Sequence, residues 1–230
     1  METASQWTLT TFIERLADPR DPSGGGVLAA VTLAGASSTA RMVAAVEKKR
    51  STRDSARTHT FAAAETALAQ LSTRFLQQAE DDRAVLARLL AAMRAARKKT
   101  SRASEEEVSL AALAAAECPL TTARLGRDLL RHLASIAPLC SPFVASDLAA
   151  SGQLAHAAIA AALFMAEANL PLLDPKPRDR IAAQIQSTRE EAVVLADELS
   201  RALPFAHAQQ GESDARPSAR GSPGRRGDIA

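Results

Sequence analysis

Apolar positions recur along this chain at helical spacing almost from end to end. Leu9, Phe12, Ile13 and Leu16 fall on one face of a short amphipathic helix over residues 9–17, and Asp18-Pro19-Arg20-Asp21-Pro22 ends it. The loop Pro22-Ser23-Gly24-Gly25-Gly26 then opens a run of small and apolar residues, 27–46, that is apolar nearly all round and so predicts a buried helix. Residues 54–97 predict one long amphipathic helix, or two in line. Phe61, Leu68, Phe75, Asp82 and Leu89 stand seven apart, with Leu71, Leu86 and Met93 beside them. Asp82 is the odd member, because a carboxylate on a core-facing seam is costly unless paired or hydrated.

A basic connector follows, and Ser104-Glu105-Glu106-Glu107 reads as the capped, acidic start of another helix. Pro119 should kink that helix before Leu125, Leu129, Leu133 and Ile136 resume its face. A proline corner at 138–142 precedes a second all-apolar helix over 146–168, and 170–177 is a turn. The last amphipathic helix carries Ile181, Ile185, Leu195, Leu199 and Leu203. No stretch alternates as a strand does, and no internal repeat is present. The pattern predicts an all-α fold, a bundle of long antiparallel helices in one domain over residues 1–206. The polar segment 207–230 lacks the apolar anchors to offset its ordering entropy and is expected to be a disordered tail. The seam on the long helix calls for a partner, within the bundle or across a homodimer.

Composition agrees. Hydrophobic residues make up 47% of the 230 positions and aromatics only 3%, with no tyrosine, and alanine supplies much of the apolar share. Small side chains and high helix propensity favour closely packed helices over sheets. A net charge of +2 is too small to imply a nucleic-acid partner. The opening residues lack the basic and apolar regions of a signal peptide, and Thr32, Ser37, Ser38 and Arg41 interrupt the run 27–46, so no membrane partner is expected and the location expected is cytoplasmic. Cys118 and Cys140 have no metal-ligand spacing and read as free thiols.

The candidate chemistry begins at the three consecutive glycines. Glycine there permits positive φ, allows close approach of a ligand or second backbone, and leaves the N–H groups of a helix start open to an anion; a plain flexible turn is the simpler alternative. Around that loop, the segment Thr11-Phe12-Ile13-Glu14-Arg15-Leu16-Ala17, the small-residue helix ending in Met42-Val43, Asp81 with Ala84 and Val85, Cys118-Pro119-Leu120, Ser146-Asp147 and Asn169-Leu170 occur in an order and spacing that resembles the cyclodeaminase/cyclohydrolase family of one-carbon folate enzymes. The resemblance covers about residues 8–205. It implies an enzyme that hydrolyses methenyltetrahydrofolate or cyclises formiminotetrahydrofolate with release of ammonia. It implies no metal or cofactor beyond the tetrahydrofolate substrate; the homodimer is expected instead from the seam Phe61 to Met93 and from two helices apolar enough to need cover on every side, with pairing through the long helix and its neighbours. Asp81 and Asp147 are the implied catalytic carboxylates, and Gly24, Gly25, Gly26, Arg50, Ser146 and Asn169 the implied folate-binding residues.

The departures are local. The family's Asn-Leu-Thr-x-Gly-Lys-Lys-Lys-Tyr motif reads Ala45-Val46-Glu47-Lys48-Lys49-Arg50-Ser51-Thr52-Arg53, in which Arg50 alone keeps an aligned charge. Its Gly-Asn-x-Asn reads Cys140-Ser141-Pro142-Phe143, the first asparagine of its late motif is Met165, and Ser23 separates the proline from the glycines. Each implied role has a structural rival. Ser146-Asp147 could cap a helix, Lys48, Lys49, Arg50 and Arg53 could be solvated surface, and Asn169 could satisfy a helix end. The heptad puts Asp82 on the core face, while the resemblance selects Asp81. Two functions follow: a folate one-carbon enzyme, or a catalytically degraded descendant serving as a folate-binding or interacting helical dimer.

Overall fold

The computed structural model describes residue 3, residues 6–98 and residues 102–203; the expected tail at 207–230 lies outside them. Among the described residues there are six α-helices and no strand. They are α1 (Leu9–Ala17), α2 (Gly25–Arg50), α3 (Ser55–Lys98), α4 (Arg102–Ile136), α5 (Pro142–Ala168) and α6 (Pro175–Ala202), with short 3₁₀ turns at Ala137–Leu139 and Leu170–Leu172. Helices α2, α3, α4 and α5 pack in a ring, each against the next, and α6 lies over α4 and α5. The core is mostly alanine and leucine, with Phe61 and Phe75 of α3 fully buried.

The long helix is continuous. Asp54 caps it by accepting from the Arg57 N–H at 3.0 Å, and its 44 residues span about 66 Å. Its seam is consumed inside the chain, because Phe61, Leu68, Phe75, Asp82 and Leu89 are all buried. The partner that the seam requires is therefore the bundle itself.

Three expectations change. Pro142 takes the first-turn position of α5, where a missing N–H costs nothing, so α5 starts four residues ahead of Ser146 with Ser141 at its N-cap position. The capping role weighed for Ser146-Asp147 is thereby excluded, since both stand inside the helix. Pro119 does not interrupt α4. A proline cannot donate to the carbonyl four residues back, here Ala115, and the side-chain amide of Asn169 donates to that oxygen instead, at 3.1 Å. In α1 only Phe12 is buried, while Leu9 and Ile13 stay largely exposed. The helix is too short to turn all four apolar residues onto the bundle.

Candidate functional site

The glycine loop lies at the start of α2. Gly24 is the N-cap residue with extended backbone, φ −137°, so no left-handed conformation is needed there. The need for glycine comes from close approach. A Cβ on Gly26 would fall within 3.0 Å of the Asp82 carboxylate, and one on Gly25 would meet the Met165 Sδ at 2.9 Å. The Asp82 carboxylate, carried by α3, accepts a hydrogen bond from the Val27 N–H at the positive end of α2. It is 9% exposed. Burial raises its pKa to about 6, against the lowering effect of that hydrogen bond. The anion at this helix start is thus the protein's own, and it comes from the seam residue, not from its neighbour.

Asp81 points elsewhere. Its two oxygens each accept from a side-chain amide, of Gln77 and Gln78, at 3.0 Å. It lines a cleft of about 270 Å³ between α3 and α4 with Arg88, Glu117, Cys118 and Thr121. The Cys118 thiol lies between the two aspartates' fields, and burial first, then the two carboxylates, push it up to about 12. Gln78 also accepts from the buried Thr122 hydroxyl at 3.3 Å, which ties the Asp81 cleft to the bundle interior.

A polar strap holds the glycine loop down. The guanidinium groups of Arg15 and Arg83 both lie against the Trp7 ring, 4.4 and 4.5 Å from its centroid. Asp21 accepts from Arg15 at 2.9 Å and from the Ser23 hydroxyl at 2.6 Å. Burial opposes its ionisation, but the Ser23 and Arg15 hydrogen bonds and the Arg83 charge outweigh it and hold the carboxyl below its ordinary range. Residues 7–23 are fastened to α3 in this way.

The remaining implied residues stand at the far end. Helices α2 and α5 run antiparallel, because Gly25 faces Met165 while Glu47 accepts from the Ser141 N–H at 3.2 Å. Glu47 is fully buried, paired with Arg57 and with the Ser141 hydroxyl. One turn on, Arg50 lies 5.4 Å from the Phe143 ring centroid. Ser146 is exposed, and the half-buried Asp147 carboxylate has no hydrogen-bond or ion-pair partner among the described residues. Asp147 is roughly five turns from Met165, about 27 Å along α5. Within one chain, then, Gly24, Gly25, Gly26, Asp82 and Asn169 gather at one end and Arg50, Ser146 and Asp147 at the other. Asp81 and Asp147 do not converge on the glycine loop.

Among the described residues no group of three His, Cys, Asp or Glu side chains could hold a metal ion. Both cysteines are free.

A sequence profile described as formiminotransferase-cyclodeaminase matches residues 8–189, from the start of α1 into α6. This chain belongs to that family. Comparison with curated protein sequences gave no match. Among solved structures, the crystal structure of formiminotetrahydrofolate cyclodeaminase from Thermotoga maritima superposes with a TM-score of 0.78 at 20% identity, covering 86% of this chain and 96% of that one. The cyclodeaminase fold is therefore shared over nearly the whole bundle.

Two departures from the family's motifs meet in space. Glu47 stands where the resemblance places a threonine, and Ser141 and Phe143 where it places asparagines; here Glu47 binds Ser141 and Arg50 stacks on Phe143. At the far end of the bundle the residues that depart from those motifs contact one another. The sequence singled out Asp82 for its place on the seam but not for the site. Its signal was legible, since a lone acid among seam hydrophobics needs a partner, and a bare helix start supplies one.

Proposed function

We propose that this chain is a folate one-carbon enzyme that hydrolyses methenyltetrahydrofolate or cyclises formiminotetrahydrofolate with release of ammonia. The observation that carries the reading is the membership in the formiminotransferase-cyclodeaminase family over residues 8–189. Methenyltetrahydrofolate is a cationic amidine, so its opening calls for a water at the methenyl carbon and carboxylates to stabilise the cation or take the proton. The resemblance gives these roles to Asp81 and Asp147, and because the two stand at opposite ends of one chain, a site that uses both would take one from each copy of a homodimer. Asp82 adds a buried acid, with a pKa of about 6, next to Asp81 on α3. Gly24, Gly25 and Gly26 leave room for the pteridine or its tail, Arg50 and Ser146 bind the anionic tail, and Asn169 shapes the floor behind Met165. The chain works as a cytoplasmic homodimer with no membrane, nucleic-acid, metal or further cofactor partner.

One observation favours a second reading. The basic, tyrosine-bearing motif is replaced, and Glu47 is locked into a closed ion pair with Arg57. A catalytically degraded, folate-binding or interacting dimer would retain the bundle and tolerate this change. A spectrophotometric assay for loss of methenyltetrahydrofolate, run beside a binding titration with a stable folate, separates the two. Asp81→Asn is expected to lower turnover by roughly two to four orders of magnitude while the fold persists. Wild-type protein that binds folate without turning it over establishes the second reading, and protein that does neither overturns both folate roles.

A further inference from the structure

The two carboxylates that line the α3–α4 cleft are held differently. Glu117 pairs with Arg180 at 2.7 Å, whereas Asp81 has no ion-pair partner among the described residues. Arg88, the cation of the cleft, turns its Nε to the Ala84 carbonyl of its own helix at 3.4 Å. Asp81 is held by neutral groups instead. The side-chain amides of Gln77 and Gln78 donate to its Oδ1 and Oδ2, each at 3.0 Å. They stand four and three residues before it, and so share its face of α3. A neutral donor fixes the direction of a carboxylate without cancelling its charge, which an arginine in the same place would do.

The two glutamines are not equivalent. Gln77 is exposed, and its bond to Asp81 is an ordinary pair on one helix surface. Gln78 is half-buried, and its amide makes a second contact across the bundle. Its Oε1 accepts from the Thr122 hydroxyl of α4 at 3.3 Å, and Thr122 is 2% exposed. Chemistry sets the direction of this relay. An ionised carboxylate only accepts, so Gln78 turns its NH₂ to Asp81 and its oxygen to Thr122, and the hydroxyl must then donate. Thr122 shares that hydrogen with the Cys118 carbonyl one turn back, also at 3.3 Å, so α4 itself pins the hydroxyl. The relay runs from the bundle interior to the cleft.

We infer that Gln78, held by Thr122, is a positioning residue that aims the Asp81 carboxylate into the α3–α4 cleft, with Gln77 a weaker donor on the solvent side. The inference rests on the enzyme reading above, and it gives Gln78 and Thr122 no contact with substrate. A carboxylate turned away from the reacting atoms loses transition-state stabilisation more than ground-state binding, so the effect belongs in kcat.

Turnover tests it, read as loss of methenyltetrahydrofolate or as its appearance from formiminotetrahydrofolate. Gln78→Leu should lower kcat roughly 10- to 100-fold, the cost of a misplaced catalytic group, with KM changed by less than about threefold. Thr122→Val keeps the shape but not the hydroxyl and should lower kcat by about 3- to 10-fold, and Thr122→Ser should restore it. Gln77→Leu should cost less than Gln78→Leu. The deciding comparison places Gln78→Leu beside Asp81→Asn, where its effect should vanish because no carboxylate is left to aim. A Gln78→Leu chain with wild-type kcat, or a loss that persists in full beside Asp81→Asn, overturns the positioning role and leaves the enzyme reading standing. If Gln78→Leu loses its helical circular dichroism, the Thr122 series decides. Thr122→Val at wild-type kcat, or Thr122→Ser no better than Thr122→Val, then overturns the role. Wild type that turns over neither substrate overturns the enzyme reading and this inference together.

Discussion

At the scale of single residues, the carboxylate against Gly26 governs two predictions. Asp82 keeps its proton in the folded chain up to about pH 6, against an ordinary value of 3.8. Between about pH 4 and 6 the folded state therefore binds more protons than the unfolded one, and stability falls as pH rises through that window. Asp82→Asn retains an acceptor for the Val27 N–H and removes the desolvated charge. It should match wild type in urea unfolding at pH 4 and exceed it by about 2–3 kcal/mol at pH 7; equal midpoints at both pH values would refute the assignment. Gly26→Ala drives a methyl group into that carboxylate and should cost roughly 1–3 kcal/mol. Gly24→Ala meets open space on an extended backbone and should cost only about 0.5 kcal/mol, as alanine is a poorer N-cap than glycine. Thermal melts of the two variants that shift equally would show that the loop is not tight at Gly26.

At the scale of elements, α4 crosses Pro119 without breaking because α5 repairs it. Asn169 donates to both the Ala115 and the Met165 carbonyls, so one side chain serves the gap in α4 and the end of α5. Asn169→Leu leaves the Ala115 oxygen without its donor and should destabilise by about 1–3 kcal/mol. If the role is structural, a Pro119→Ala chain, which restores the missing N–H, should lose less on the same substitution. A double-mutant cycle by denaturant unfolding reads this directly, and strict additivity would dismiss the pairing. The interruption expected at the proline was the natural reading of one segment alone. The compensating amide lies about 50 residues further on.

At the scale of the whole molecule, the apolar seam of α3 and the apolar faces of α2 and α5 divide the work. The seam closes the bundle, while large side chains on the outward faces of α2 and α5 stay exposed, and the homodimer proposed above is expected to cover them. Light scattering at micromolar concentration should therefore return twice the chain mass of 24.2 kDa. Substituting Leu154 and Phe164 together by Gln and Ser should shift it to the monomer while far-ultraviolet circular dichroism keeps its helical form. A wild-type monomer under these conditions would remove the dimer.

Much was legible in the chain itself. Helical period, alanine content and the proline and glycine breaks determined an all-helical bundle, because these features act locally through propensity and periodicity. The long helix was correct to within a residue at each end, since Asp54 is a cap that needs only its own next turn. The order of motifs also carried the family. What the sequence could not give was register between helices. Asp81 and Asp82 differ by one position and hence by about 100° around α3, and only the packing of α3 on α2 decides which of them meets Gly26. The same packing decides that Asp147 and the glycine loop lie at opposite ends, because antiparallel α2 and α5 are aligned by contacts, Gly25 with Met165 and Glu47 with Ser141, between residues far apart in the chain.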